Sequence, residues 1–209
     1  MDNTIQFIQE GDIVVLSPEY HQFYGRLVYG EEVLLKSIID VKFLAIKKEQ
    51  IKNIYKYIPK LFLSKISPWE YFYFEEIDSY SVNSFNDYGD FYTHWGVQQR
   101  TYNADKKINE SYNSNTIKLI DEFRIELNKK GANLYVTFPG YQASSFDINI
   151  KQIKKIEKEL LINNFELLGS PERYRMPDSM MFDSEYHLSK EGLDLRTQLL
   201  IEDIKNIKN

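Results

Sequence analysis

Three short apolar runs, each closed by a proline, limit what this chain can fold into. They are Asp12–Ser17 (DIVVLS) between Gly11 and Pro18, Ala132–Phe138 (ANLYVTF) between Gly131 and Pro139, and Phe165–Gly169 (FELLG), closed by Pro171. Their length and their β-branched and aromatic content are those of buried parallel strands, and proline cannot continue the ladder. Helical patterns separate them. Ile117, Ile120, Phe123 and Leu127 recur at helical spacing before a basic last turn and the Gly131 stop. Ile150, Ile153, Ile156 and Leu160 follow Asp147, an expected N-cap. Leu193, Leu200, Ile204 and Ile207 stripe a final helix capped by Ser189, and a further helical stretch is expected from about Glu31 to Lys60. Strand and helix in alternation predict an α/β fold, a parallel sheet covered on both faces in three αβα layers.

Three strands are few for such a sheet, which normally has about five or more. The expectation is that one or two N-terminal strands are lacking, or that a partner supplies cover. Asn3–Glu10 reads as the frayed end of a helix leading into the first strand. The whole of 1–209 reads as one domain, with 78–112 as a long polar and aromatic excursion, and long ordered loops of that kind often carry function.

Bulk properties narrow the function classes. The 209 residues are 43% hydrophobic and 27% charged, with a net charge of -5 and no cysteine. That balance builds a core. It excludes disulfides and thiolate chemistry, and it fits a reducing compartment. Acidic and basic residues are interspersed, so no basic stripe is offered to nucleic acid. No run approaches the ~20 apolar residues of a membrane span, and the N-terminus lacks a signal-peptide pattern, so a cytoplasmic chain with no membrane partner is expected. Many of the 16 tyrosines and 13 phenylalanines lie between Tyr55 and Tyr102. They suit a half-buried layer, a sugar platform or a subunit interface, and an exposed edge strand would favour a homo-oligomer.

Ligands of parallel α/β sheets bind at the C-terminal strand ends, which directs attention to Ser17–Gly25, Pro139–Ser145 and Ser170–Gly192. In the last of these, Asp183 and His187 lie four residues apart before the final helix. A carboxylate beside an imidazole fixes its tautomer and stabilises the imidazolium. Glu19 and Tyr20, after the first strand, and Asp90 and His94, in NDYGDFYTHWG, are expected to bind substrate. His21 reads as a partly exposed loop histidine. Asp90, His94, Asp183 and His187 together are a weak divalent-metal set, and neither a metal nor another cofactor is expected. Ser17, Ser144 and Ser145 are nucleophile candidates by position, but Pro18-Glu19-Tyr20 supplies no glycine-flanked turn with free N–H donors.

The run FDSEYHLSKEGLDLRT resembles the closing block of the SGNH (GDSL-type) hydrolases. GDIVVLSPEY, PGYQ and FNDYGDFYTHWG resemble a bacterial branch of that family associated with surface polysaccharides. The resemblance implies a flavodoxin-like or SGNH-like sheet and a serine esterase or acyltransferase acting on a carbohydrate ester, with His187 as general base and Asp183 as its orienter. The family's Asp and His usually lie three apart rather than four, and its Gly and Asn oxyanion donors would fall where Pro18-Glu19-Tyr20 stand. Its nucleophile-bearing opening block has no counterpart, and the first strand here aligns with a later one of the family. A truncated, inactive form and a non-catalytic carbohydrate- or protein-binding domain are therefore the alternatives.

Overall fold

A computed structural model describes residues 4–30, 48–59, 84–98 and 107–207. The chain forms two compact units, Met1–Val28 with Gln99–Asn209, and Tyr29–Gln98. In chain order the elements are β1 (Ile13–Leu16), α1 (Lys48–Ile54, in the second unit), α2 (Asn115–Lys129), β2 (Asn133–Thr137), β3 (Tyr141–Gln142), α3 (Ala143–Ile162), β4 (Glu166–Leu168), β5 (Arg175–Met176) and α4 (Lys190–Ile207). The architecture is mixed helix and strand around a small parallel sheet of order β1-β2-β4, with a second parallel pair, β3-β5. Ile13 pairs with Asn133 and Leu16 with Val136, while Tyr135 pairs with Glu166 and Thr137 with Leu168. All three apolar runs of the sequence are therefore strands, trimmed by a residue or two at their ends.

The helices form where apolar spacing gives each one a buried stripe. On α2 that stripe is Ile117, Ile120, Phe123 and Leu127, with Leu127 fully buried. The helix ends where Lys130 N–H and Ala132 N–H both donate to the Leu127 carbonyl. On α3 the stripe is Phe146, Asn149, Ile153, Ile156 and Leu160. This helix starts at Ala143, one turn before the Asp147 cap expected from the sequence. Its first turn is capped from outside, because Ser144 N–H donates to Asp178 Oδ1 at 3.0 Å. Asp147 is thereby left inside the helix, where both of its oxygens accept from Arg175, at 2.9 and 2.6 Å. Ser189 does cap α4: its Oγ accepts Gly192 N–H at 3.3 Å and its carbonyl accepts Leu193 N–H.

Alternation along the strands puts Val14, Leu16, Leu134 and Val136 on one face, within or against the main core. On the other face, Tyr135, Glu166 and Leu168 line an open groove of about 540 Å³ with Asp203, Asn206 and Ile207 of α4. A polar strut runs through the core beside α3. Asn149 Oδ1 accepts Ile108 N–H at 2.8 Å, and its Nδ2 donates to the Ser145 carbonyl and the Tyr141 hydroxyl.

Some expectations are reshaped. Of Asn3–Glu10, residue 3 lies outside the described residues, and the rest holds a 3-10 turn, Ile5–Phe7, rather than an α-helical end. Of the predicted helix Glu31–Lys60, residues 31–47 and 60 lie outside the described residues; the rest is α1 followed by a 3-10 turn, Tyr55–Tyr57. Of the excursion 78–112, the segments 84–98 and 107–112 are described. Among the described residues no helix is long and apolar enough to cross a membrane.

Candidate active site

Between β5 and α4 the chain makes a clamped loop. Phe182 N–H donates to the His187 carbonyl at 2.7 Å, Met181 and Leu188 form an antiparallel bridge, and Ser189 N–H donates to the Met180 carbonyl at 2.8 Å. Inside the loop, Ser184 Oγ accepts the backbone N–H of His187 at 3.2 Å and of Tyr186 at 3.4 Å. Serine suits such a turn because its short hydroxyl reaches nearby backbone donors. The loop is seated on the segment that follows β2. Gln142 N–H donates to the Glu185 carbonyl at 3.0 Å, and Leu188 packs so closely on Gly140 that a Cβ there would lie 2.8 Å from Leu188 Cδ1. A parallel sheet presents ligands at this same end of its strands.

Asp183 and His187 stand at the neck of the loop, one on each arm, which brings together side chains four residues apart without any helix. His187 Nδ1 lies 2.7 Å from Asp183 Oδ1. The direct pairing that the four-residue spacing left open is therefore present. A carboxylate offers acceptors only, so the shared proton sits on Nδ1, and in the neutral imidazole that tautomer places the lone pair at Nε2. The imidazole is half exposed (50%), whereas the Asp183 side chain is largely shielded (16%). That division suits an acid–base pair: the proton-accepting group meets the outside, and its orienter is protected from competing water.

Aromatic rings pack beside the loop. The Tyr186 hydroxyl lies 3.0 Å from His21 Nδ1 and also accepts the His21 backbone N–H at 3.4 Å. Tyr186 tilts against Tyr141 with ring centroids 4.7 Å apart, and Tyr141 meets Tyr20 edge-on at 5.1 Å. Burial pushes the phenols of Tyr186 and Tyr20 well above their ordinary value and Tyr141 up to about 12, so all three remain neutral donors. His21 is thus a partner of Tyr186, a link no spacing rule would reveal across 165 residues.

The other expected site residues fall as follows. Glu19 is exposed next to this cluster, while Tyr20 is 1% exposed and forms part of the core. Asp90 closes a turn in the second unit: Asn86 Oδ1 accepts the backbone N–H groups of Tyr88 and Asp90, and Asn86 Nδ2 donates to Asp90 Oδ2 at 3.0 Å. His94 is buried and stacked on Phe91 at 4.9 Å. Among the described residues no three His, Asp or Glu side chains are grouped to hold a metal ion.

The three candidate serines have distinct surroundings. Ser17 Oγ accepts from Arg196 Nη2 at 3.1 Å. Ser145 Oγ donates to Gln142 Oε1 at 2.8 Å inside the core. Ser144 Oγ is buried without a hydrogen-bond partner. Sequence reading missed Arg196, whose position depends on the phase of α4 relative to the strand ends. Set against known proteins, the chain matches no protein-family model, no curated protein and no solved structure.

Proposed function

We propose that the chain is an ester-processing domain of the SGNH (GDSL-type) kind, an esterase or acyltransferase for a carbohydrate ester. In this proposal its fold is a three-layer, flavodoxin-like sheet, and the monotonic order β1-β2-β4 corresponds to one half of a doubly wound sheet. His187 acts as general base: Nε2 takes the proton of the attacking hydroxyl as that oxygen bonds to the ester carbonyl carbon. The same proton then passes to the departing alkoxide as the ester C–O bond breaks. Asp183 fixes the tautomer and stabilises the transient imidazolium. The observation that carries the proposal is the 2.7 Å Asp183–His187 contact on a loop seated at the C-terminal end of β2. Carbohydrate as the substrate class rests on the family resemblance.

None of the three candidate serines is paired with a base: Ser17 is engaged by Arg196, Ser145 by Gln142, and Ser144 Oγ is buried without a hydrogen-bond partner. The capture of Ser17 at a strand end favours the competing reading, a non-catalytic carbohydrate- or protein-binding domain. An activated aryl ester separates the two when free imidazole at equal concentration is taken as the background, since any exposed imidazole matches that rate without an active site. The expected outcome is p-nitrophenyl acetate turnover above background that falls about 10²–10⁴-fold in His187→Ala and at least about tenfold in Asp183→Asn. A wild-type rate equal to background, or one indifferent to His187→Ala, removes the catalytic reading in favour of the binding one.

A further inference from the structure

Four arginines lie between residues 107 and 207, and three of them are ion-paired: Arg124 with Asp121, Arg173 with Glu202 and Asp203, and Arg175 with Asp147. Arg196 is the exception among these four. Its Nη2 donates to Ser17 Oγ at 3.1 Å and to the Phe138 carbonyl at 3.4 Å, and its guanidinium carbon stands 5.4 Å from the centre of the Tyr174 ring. Every one of these partners is neutral. Burial pulls the guanidinium below its ordinary value, yet arginine keeps its charge at any physiological pH. The result is a partly desolvated cation with no counter-charge among the described residues, in a chain whose net charge is -5. Such a charge is costly unless something neutralises it.

Its place in the fold is as informative as its lack of a counter-ion. Ser17 directly follows β1 and Phe138 directly follows β2, and these strands are parallel neighbours. Arg196 therefore spans the C-terminal ends of two adjacent strands, the position where open α/β sheets take their ligands. Both hydrogen bonds leave from Nη2. Bonds from Nη2 to Ser17 and Phe138 hold the planar group in one orientation and leave Nη1 and Nε as its remaining donors for an anion.

We infer that Arg196 and Ser17 form an oxyanion-binding subsite at the ends of β1 and β2, for a ligand carrying a carboxylate or a phosphate monoester. The guanidinium supplies charge and its Nη1 donors, and the Ser17 hydroxyl, now accepting from Nη2, has its proton to donate to the anion. This subsite does not depend on ester chemistry at His187 and can be tested without any turnover.

The test is binding to the intact protein, measured by calorimetry at ionic strength held constant with chloride. Inorganic phosphate and D-glucuronate are the anionic probes, and D-glucose is the neutral control. Saturable binding of either anion supports the subsite if it weakens about tenfold or more in Arg196→Gln, as expected for loss of charged hydrogen bonds. Which anion binds tells phosphate from carboxylate. Arg196→Lys keeps the charge without the fork and should also weaken binding. If Arg196→Gln fails to fold by circular dichroism, Ser17→Ala, a change at an exposed residue, decides instead, with about threefold weaker binding expected. No saturable binding of either anion, or binding unchanged in the variants, overturns the inference.

Discussion

Between β4 and the turn that follows it, Gly169 adopts φ +71°, a region that L side chains rarely enter. Space is closed as well: a Cβ there would lie 2.5 Å from Asp203 Oδ2 and 2.9 Å from Tyr174 Cε2. Those two groups are bonded to each other, the Tyr174 hydroxyl donating to Asp203 Oδ2 at 2.6 Å, and Arg173 Nε lies 2.9 Å from the other carboxylate oxygen. Substituting Gly169→Ala therefore adds left-handed strain of about 1–2 kcal/mol to overpacking of about 1–3 kcal/mol. The expected result is a lower urea midpoint at unchanged slope, corresponding to a loss of about 2–5 kcal/mol. A variant as stable as the parent would show that the β4–α4 contact yields more readily than these distances imply.

Among the elements, α4 depends on its cap. Ser189 is the last residue of the clamped loop and the first partner of the helix, so Ser189→Ala removes a hydroxyl acceptor from Gly192 N–H. A loss of about 1 kcal/mol is expected, read as a shifted urea midpoint, and an unchanged midpoint would mean that backbone bonds alone start the helix. This cap was legible in the sequence because serine before a glycine-bearing first turn is a local signal. The three strands were legible for a similar reason, since glycine and proline punctuate their apolar runs. The start of α3 was not, because it is fixed by Asp178, a residue 34 positions from Ser144. The β3–β5 pair is equally silent in the sequence: two residues per strand carry no period, and only tertiary packing aligns them. At the candidate site, the residue types and nearness of Asp183 and His187 were readable, but their contact comes from a loop neck that spacing does not encode. Arg196 escaped notice because one arginine on a helix looks like any solvated charge until the strand ends beneath it are known.

At the scale of the whole molecule, buried phenols set an alkaline limit. Burial raises Tyr24, Tyr141 and Tyr174 from 10.0 to about 12, and holds Tyr20 and Tyr186 well above the ordinary value. In the unfolded chain these groups release protons near pH 10, while in the folded chain they do not. The stability they contribute is therefore intact below pH 10 and declines as pH rises towards 12 and beyond. The urea midpoint should fall steadily above pH 10, and a class of tyrosines should give tyrosinate absorbance only on unfolding. Full ionisation near pH 10 with the fold intact would contradict that picture. The sign is opposite on the acid side, where the Arg175 hydrogen bonds hold Asp147 below its ordinary range. What Asp147 adds is present above about pH 4 and fades as it is protonated.

One helix touches every strand end in the described sheet. Near its head, Gly192 sits under the Met180 carbonyl at the base of the dyad loop; Arg196 reaches the ends of β1 and β2; and Asp203, roughly 16 Å from Gly192, meets Gly169 after β4. One element thus holds the base of the Asp183–His187 loop, the guanidinium at the strand rim and the carboxylate beneath Gly169, so a substitution that shifts α4 displaces all three together.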